Sequence, residues 1–265
     1  MQNAALAELG LAGEWSYEAI EVAAEEFEPL VRSLPGRDFA GVNVTVPHKL
    51  AALAVADRAS AAAREIGASN TLSFTAAGIE AENTDASGLI AALPQSPRGR
   101  RALVLGAGGS ARAAVWALKR AGALVEIWNR TPEKAQRLAA KLGVAVESTG
   151  SRSDDAEGRY IVDGAEFDLL VNCTTVGLAS ANESTDLEPL PLDADSVRDT
   201  HVVVDLAYGP SPTPLIAAAT SRGARAVDGL DVLVHQGAAS LRIWTGRNPP
   251  LETMRRAARE RRTPA

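Results

Sequence analysis

Three places in the chain carry residue types whose spacing suits chemistry. The first is a glycine pattern, Gly106-x-Gly108-x-x-Ala111, between an apolar run at 102–105 and a helical pattern that ends at Gly122. In that setting Gly106 permits a tight turn and Gly108 lets the backbone approach a pyrophosphate. Small Ala111 lets helix and strand pack closely, and the helix N-terminus offers N–H groups to an anion. The second is the end of the next apolar run, 124–128, which reads Asn129-Arg130-Thr131. A site for NAD places a carboxylate about 20 residues after the glycines to hold the ribose 2′-hydroxyl. Here no carboxylate is present to repel a 2′-phosphate, and the planar guanidinium of Arg130 can pair with one. The cofactor expected is therefore NADP(H). The third is Lys49, at the end of Gly41-Val42-Asn43-Val44-Thr45-Val46-Pro47-His48-Lys49. Pro47 suits the first turn of a helix, which puts Lys49 in that turn as well, where the helix dipole disfavours a cation. A lysine in such a place suits proton transfer.

The elements that must position these residues follow from periodicity. Residues 102–105, the glycine turn, the helical pattern and 124–128 form a β-turn-α-β unit. Alternation at 42–46 puts Val42, Val44 and Val46 on one face of a strand and Asn43 and Thr45 on the other. Upstream, 3–9 and 25–34 read as helices and 17–22 alternates like a strand. Downstream, a helix at 60–66 leads to a hairpin, 72–75 and 79–82, turning through Ala77-Gly78. A hairpin brings Asn70 and the triplet Asn83-Thr84-Asp85 out at the same end. Asp85 precedes a helix at 86–93 and is placed to cap it, which leaves one carboxylate oxygen able to face a cleft. Residues 94–99 are linker-like. A helix at 133–142, a strand at 144–146, an irregular surface loop at 148–158 and buried strands at 167–171 and 202–206 follow. Thr174, Thr175, Leu206 and Tyr208 fall at the carboxyl ends of strands, where open parallel sheets bind ligands. Cys173 reads as packed rather than reactive. After a proline-rich turn at 210–214, an apolar helical stripe runs from Leu230 to Trp244, with Gln236 off the stripe and available for a polar contact. A last helix spans 251–261.

Composition narrows the class. The chain has 265 residues, 46% of them hydrophobic and 23% charged, enough for a proper core in one large or two smaller domains. A net charge of −6 argues against a nucleic-acid or phospholipid surface as partner. One cysteine excludes a disulfide framework, and His48, His201 and His235 show no metal-ligand spacing. With neither a long apolar run nor a leader pattern, the expectation is a soluble, cytoplasmic protein without a membrane partner.

Taken in order, NVTVPHK, GASNT, NTD, GAGGSAR, NRT, NCTTVG, DLAY and GLDVLVHQG make the chain resemble the shikimate dehydrogenases over almost its whole length. The resemblance implies NADPH-dependent, reversible reduction of 3-dehydroshikimate to shikimate in aromatic amino-acid biosynthesis. It implies Lys49 and Asp85 as the catalytic pair, with Asn43, Thr45, Asn70, Tyr208 and Gln236 holding substrate hydroxyls or carboxylate. Gly106, Gly108, Gly109, Ser110 and Ala111 would cradle the pyrophosphate, with Asn129, Arg130 and Thr131 at the adenosine end. Thr174, Thr175, Leu206 and Gly229 would line the nicotinamide site. The chemistry is self-consistent: hydride delivered to a ketone leaves an alkoxide, and an ammonium beside a carboxylate can supply its proton. Asn, Thr and Gln read hydroxyls by hydrogen bonds.

The architecture expected is α/β, with two domains. Residues 1–86 plus 238–265 form the substrate-binding domain, and 87–237 form a Rossmann-type NADP domain, with the chemistry in the cleft between them. A small-molecule substrate is the expected partner, and a homodimer the candidate assembly. The family carries a strand and a Ser-Leu-Ser-Pro-type motif upstream of a Met-x-Asn-Ala-Ala-Leu helix, and this chain begins at that helix. Those serines bind the substrate carboxylate in the family, so the expectation for the chain as given is intact NADPH binding and weak turnover, each such bond contributing about 1.5–3 kcal/mol. The alternatives are an NAD-dependent quinate/shikimate dehydrogenase and a non-catalytic NADP-binding sensor, which need not bind shikimate. A relative of glutamyl-tRNA reductase leaves NVTVPHK and NTD unexplained.

Overall fold

A computed structural model describes residues 1–147, 162–178, 187, 190–192, 194–209 and 211–260. The surface loop expected at 148–158 lies outside the described residues. The chain divides into two compact units, Met1–Ala91 with Leu233–Arg261, and Ala92–Val232.

The first unit contains α1 (Gln2–Glu8), α2 (Phe27–Ser33), β1 (Gly41–Asn43), α3 (Lys49–Val55), β2 (Arg58–Ala59), α4 (Ala61–Ile66), β3 (Thr71–Thr75), β4 (Gly78–Glu82) and α5 (Asp85–Ala92). Its sheet has the order β1-β3-β4-β2; β2 runs parallel to β4 and the other pairings are antiparallel. The β3–β4 hairpin turns through Ala76-Ala77, and Gly78, at φ 104°, supplies the backbone conformation that a side chain would resist. Its register pairs Thr71 with Glu82 and Thr75 with Gly78, so the residues just outside the hairpin, Asn70 and Asn83, emerge together. Phe27, Val31, Val55, Leu72 and Ile79 fill the core beneath the sheet, each such side chain contributing about 1.5–3 kcal/mol on burial. Ser60 Oγ accepts from Ala63 N–H at 3.0 Å to start α4, and Gly67 in the left-handed region ends it.

Two sequence expectations fail here. Residues 17–22 form no strand. Tyr17 and Ile20 are exposed and only Val22 packs against the core, so the alternation buries little, and side chains rather than a ladder hold the two ends of the segment. Asn3 brackets the Tyr17 backbone, donating to its carbonyl at 2.9 Å and accepting from its N–H at 2.7 Å, and a ring nitrogen of His48 lies 3.1 Å from the Val22 carbonyl. The strand at 42–46 is also shorter than its alternation implies. It stops at Asn43, Val46 is exposed, and the His48 N–H closes a turn on the Thr45 carbonyl. The His48 ring, stacked on Phe27, anchors that turn to the core. Pro47 therefore precedes α3, with His48 at the cap and Lys49 as its first residue.

The second unit contains β5 (Arg101–Leu105), α6 (Gly109–Arg120), β6 (Leu124–Trp128), α7 (Pro132–Leu142), β7 (Ala145–Val146), β8 (Leu169–Asn172), β9 (Val202–Asp205), α8 (Pro214–Ser221) and β10 (Arg225–Asp228). All six strands are parallel, in the order β10-β9-β8-β5-β6-β7. Leu103, Val104, Leu170, Val171, Val203 and Val204 are fully buried, the near-continuous apolar pattern of strands covered on both faces. The chain winds one way from β5 through β6 to β7 and the other way through β8, β9 and β10. The strand order thus reverses at the carboxyl ends of β5 and β8, where open α/β sheets bind ligands. Helix α8 and strand β10 escaped the sequence reading. Thr213, whose side chain accepts from the Ile216 N–H, and Pro214 make a normal helix start, but they lie among prolines that read as a turn.

Helix α9 (Gly229–Thr245) begins in the second unit and continues in the first, and α10 (Leu251–Glu260) follows. Gln2 on α1 donates to the Gly237 carbonyl on α9 at 3.0 Å. No helix among the described residues is long and apolar enough to cross a membrane.

Candidate functional site

In the first unit one set of polar side chains is wired together. Lys49 Nζ, on the first residue of α3, donates to Asp85 Oδ2, on the first residue of α5, at 2.7 Å. The two side chains are 12% and 14% exposed, so the pair is shielded but still reachable. The hairpin end brings Asn70 to the same place. Its Nδ2 lies 2.9 Å from Asp85 Oδ1, 2.9 Å from Thr84 Oγ1 and 2.9 Å from Gln236 Oε1. Its Oδ1 accepts from the Thr84 N–H at 2.7 Å. Asp85 is spared the capping role because Asn83 Oδ1, two residues earlier, accepts from the Ala86 N–H. That is a correction to the capping expectation: an Asx residue at 83 does the work, and both oxygens of Asp85 point to Lys49 and Asn70.

Gln236 reaches Asn70 because α9 comes unusually close to α5. A methyl group at Gly88 would lie 2.7 Å from Gln236 Cβ and 2.8 Å from its backbone nitrogen. Asn43 joins through a layer of hydroxyls. Its Nδ2 donates to Ser240 Oγ at 2.8 Å, and Ser240 Oγ in turn lies 2.8 Å from Thr71 Oγ1 and 3.0 Å from Thr84 Oγ1. Asn70, Thr71, Thr84 and Ser240 are all buried. Buried polar groups with partners on every side hold one arrangement, since each alternative leaves a group unsatisfied. Thr45 is exposed on the turn before α3.

Ser240 and Thr71 escaped the sequence reading, which placed Thr84 beside Asn70 but gave it no role. Ser240 lies one helical turn beyond Gln236 on the same face of α9, and that spacing was the available signal. Tyr17 was also missed: its hydroxyl donates to Asn43 Oδ1 at 3.1 Å. Tyr208 belongs to the second unit, beyond β9, and is 40% exposed.

In the second unit the glycine turn follows β5. Gly106 has φ 113°, and its N–H donates to the Trp128 carbonyl at 2.7 Å. A Cβ there would lie 3.2 Å from the carbonyl carbon and oxygen of Cys173, so the turn also needs glycine to pass the loop after β8. Gly108 opens α6 without a side-chain cap, and a Cβ on it would meet nothing within 4 Å. Space beside the start of a twelve-residue helix, at the reversal of strand order, fits a bound diphosphate. Gly109 and Ser110 form the first turn, and Ala111, fully buried, packs the helix against the sheet.

At the end of β6, Asn129 Nδ2 donates to the Thr131 carbonyl at 2.9 Å, and Arg130 and Thr131 are exposed where α7 begins. Lys134, exposed in the first turn of α7, adds a second cation near that helix start; sequence reasoning passed over it.

The loops after β8 and β9 are held by a buried acid. Asn172 Oδ1 accepts from the N–H and hydroxyl of Thr174, at 3.0 and 2.7 Å, while its Nδ2 donates to Asp205 Oδ1 at 2.8 Å. Asp205 also accepts from the Ala207 N–H at 3.0 Å and from Thr213 Oγ1 at 2.6 Å. Burial pushes its carboxyl up to about 6, against these three donors, which pull it down. Thr175 is exposed beside this loop, and the Leu206 N–H donates to the Asn172 carbonyl at 2.9 Å. A Cβ on Gly229 would lie 2.8–2.9 Å from the carbonyl oxygens of Asp205, Leu206 and Ala207, so α9 starts against bare backbone.

Comparison with known proteins gives three matches along the chain. The model for the shikimate dehydrogenase substrate binding domain matches residues 1–72. The model for shikimate / quinate 5-dehydrogenase matches 90–230, and that for the shikimate 5′-dehydrogenase C-terminal domain matches 229–259. Shikimate dehydrogenase (NADP(+)) of Acidiphilium cryptum is 42% identical over 89% of this chain and 82% of its own length. Its counterpart in Methanopyrus kandleri is 40% identical over 98% of this chain and 89% of its own. Among solved structures, shikimate 5-dehydrogenase from Thermus thermophilus, in complex with NADP(H) and shikimate, superposes with a TM-score of 0.82 at 38% identity, covering 98% of this chain and 92% of that one.

Proposed function

The chain belongs to the shikimate dehydrogenase family, and we propose that it interconverts 3-dehydroshikimate and shikimate with NADP(H). The observation that carries this reading is the 2.7 Å contact of Lys49 with Asp85 inside a hydrogen-bonded set that also contains Asn70 and Gln236. An ammonium and a carboxylate side by side can hold and move one proton, and the neighbouring amides can bind hydroxyl groups.

The second unit would hold NADP(H). Gly106, Gly108, Gly109, Ser110 and Ala111 cradle the diphosphate, Asn129, Arg130 and Thr131 take the adenosine end, and Thr174, Thr175, Leu206 and Gly229 line the nicotinamide end. When bound, NADPH supplies the hydride that converts the substrate ketone to an alkoxide. The chain's own residues do the rest. Asn43, Thr45, Asn70, Tyr208 and Gln236 bind the hydroxyls and carboxylate of the substrate. Lys49 Nζ gives a proton to the alkoxide oxygen in the direction of reduction and takes it back in oxidation, and Asp85 holds the amine in place and balances its charge. The same reading makes this a cytoplasmic enzyme, drawing on the NADPH pool of that compartment.

Steady-state oxidation of shikimate and of quinate, each with NADP+ and with NAD+, tests the proposal. Shikimate with NADP+ is expected to give the highest kcat/KM. A preference for NAD+ would point to the quinate-type alternative, and neither binding nor turnover of shikimate would refute the reading.

A further inference from the structure

We infer that Tyr17 is a positioning residue for Asn43, and that it tunes substrate affinity through that amide; the inference rests on the reading of Asn43 as a substrate-hydroxyl ligand. The nitrogen end of the Asn43 side chain is fixed by Ser240 Oγ at 2.8 Å and by Thr71 Oγ1 and the Asn70 carbonyl, both at 3.3 Å. The backbone carbonyl accepts only, so it sets which end of the amide faces inward. The oxygen end then receives the Tyr17 hydroxyl at 3.1 Å.

Tyr17 sits on a segment that forms no strand, yet the chain holds it on both sides. The two-point bracket from Asn3 fixes its backbone as a ladder rung would, and the contact of His48 with Val22 fixes the far end of the segment. Tyr17 is 37% exposed, so packing alone gives little reason to place a large aromatic there. What the arrangement does provide is one hydroxyl aimed at one amide oxygen.

The test is Tyr17→Phe in the full chain, which keeps the ring and removes the hydroxyl. In the protein without ligands, the 15N side-chain amide resonance of Asn43 is expected to shift. In steady state, KM for shikimate should rise about threefold to tenfold, the loss of one hydrogen bond, while kcat, KM for NADP+ and the thermal midpoint stay at their wild-type values. In an Asn43→Ala background, the same replacement should have no further effect on KM. An unchanged Asn43 resonance, an unchanged KM, or an equal effect in the Asn43→Ala background would each overturn the inference. If the wild-type chain shows neither binding nor turnover of shikimate, the function proposed above has failed, and the amide resonance still decides whether Tyr17 holds Asn43.

Discussion

Replacing Asp205 by Asn should remove a pH dependence from the stability of the second unit. Asp205 is 1% exposed, and burial raises its carboxyl pKa from 3.8 to about 6 despite donors from Thr213, Ala207 and Asn172. A carboxyl whose folded pKa exceeds its unfolded value binds more protons in the folded state between those two values. Stability must therefore fall as pH rises through that window. With the ends of the window at 3.8 and about 6, the loss between pH values of about 4.5 and 7 is about 2 kcal/mol. Asparagine can keep the geometry. Its oxygen can take the Asn172 and Ala207 donors, and its amide can donate to Thr213 Oγ1, which turns from donor to acceptor. Amide hydrogen exchange at Leu170, Val171, Val203 and Val204, corrected for intrinsic rates, reports opening of this sheet in the intact chain. The wild-type protein should lose about 2 kcal/mol of protection relative to Asp205→Asn over that interval. Equal pH slopes would mean that the three donors cancel desolvation, a slope of the opposite sign that they outweigh it, and either would refute the reasoning.

Two other outcomes are expected. Arg130→Ala should raise KM for NADPH by about tenfold to a hundredfold, the scale of a lost charged hydrogen bond, and leave KM for NADH unchanged; an equal effect on both cofactors would contradict a 2′-phosphate role. Gly88→Ala puts a methyl 2.7 Å from Gln236 Cβ, so it should cost about 1–3 kcal/mol in chemical denaturation and raise KM for shikimate as Gln236 is displaced from Asn70. A neutral result in both measurements would show that α5 and α9 have slack.

What the sequence revealed depended on whether a local rule fixed a long-range consequence. Hairpin register is such a rule: once 71–75 and 78–82 pair, Asn70 and the triplet after Glu82 have to meet, and they do. The β-turn-α-β unit is another, since Gly106 and Gly108 show their roles through backbone conformation and open space. Position off an apolar stripe singled out Gln236. The one-turn spacing from Gln236 puts Ser240 on the same face of α9, but a serine on a helix is not unusual and its meaning lies in hydroxyls 169 and 156 residues away. The alternation at 17–22 misled because period two needs a neighbouring strand and a face to bury, and here Asn3 and His48 hold only the two ends of the segment. Asp85 has the residue type of a cap, but Asn83, two residues earlier and within reach of the Ala86 N–H, takes that role.

The most direct test follows a single turnover of shikimate oxidation by absorbance of the reduced cofactor, comparing wild type with Lys49→Met while both ligands are saturating. Loss of the amine should slow the step by about 10²–10⁴-fold with binding of NADP+ unchanged. A Lys49→Met protein that transfers hydride at the wild-type rate would contradict the assignment of the proton to the Lys49–Asp85 pair.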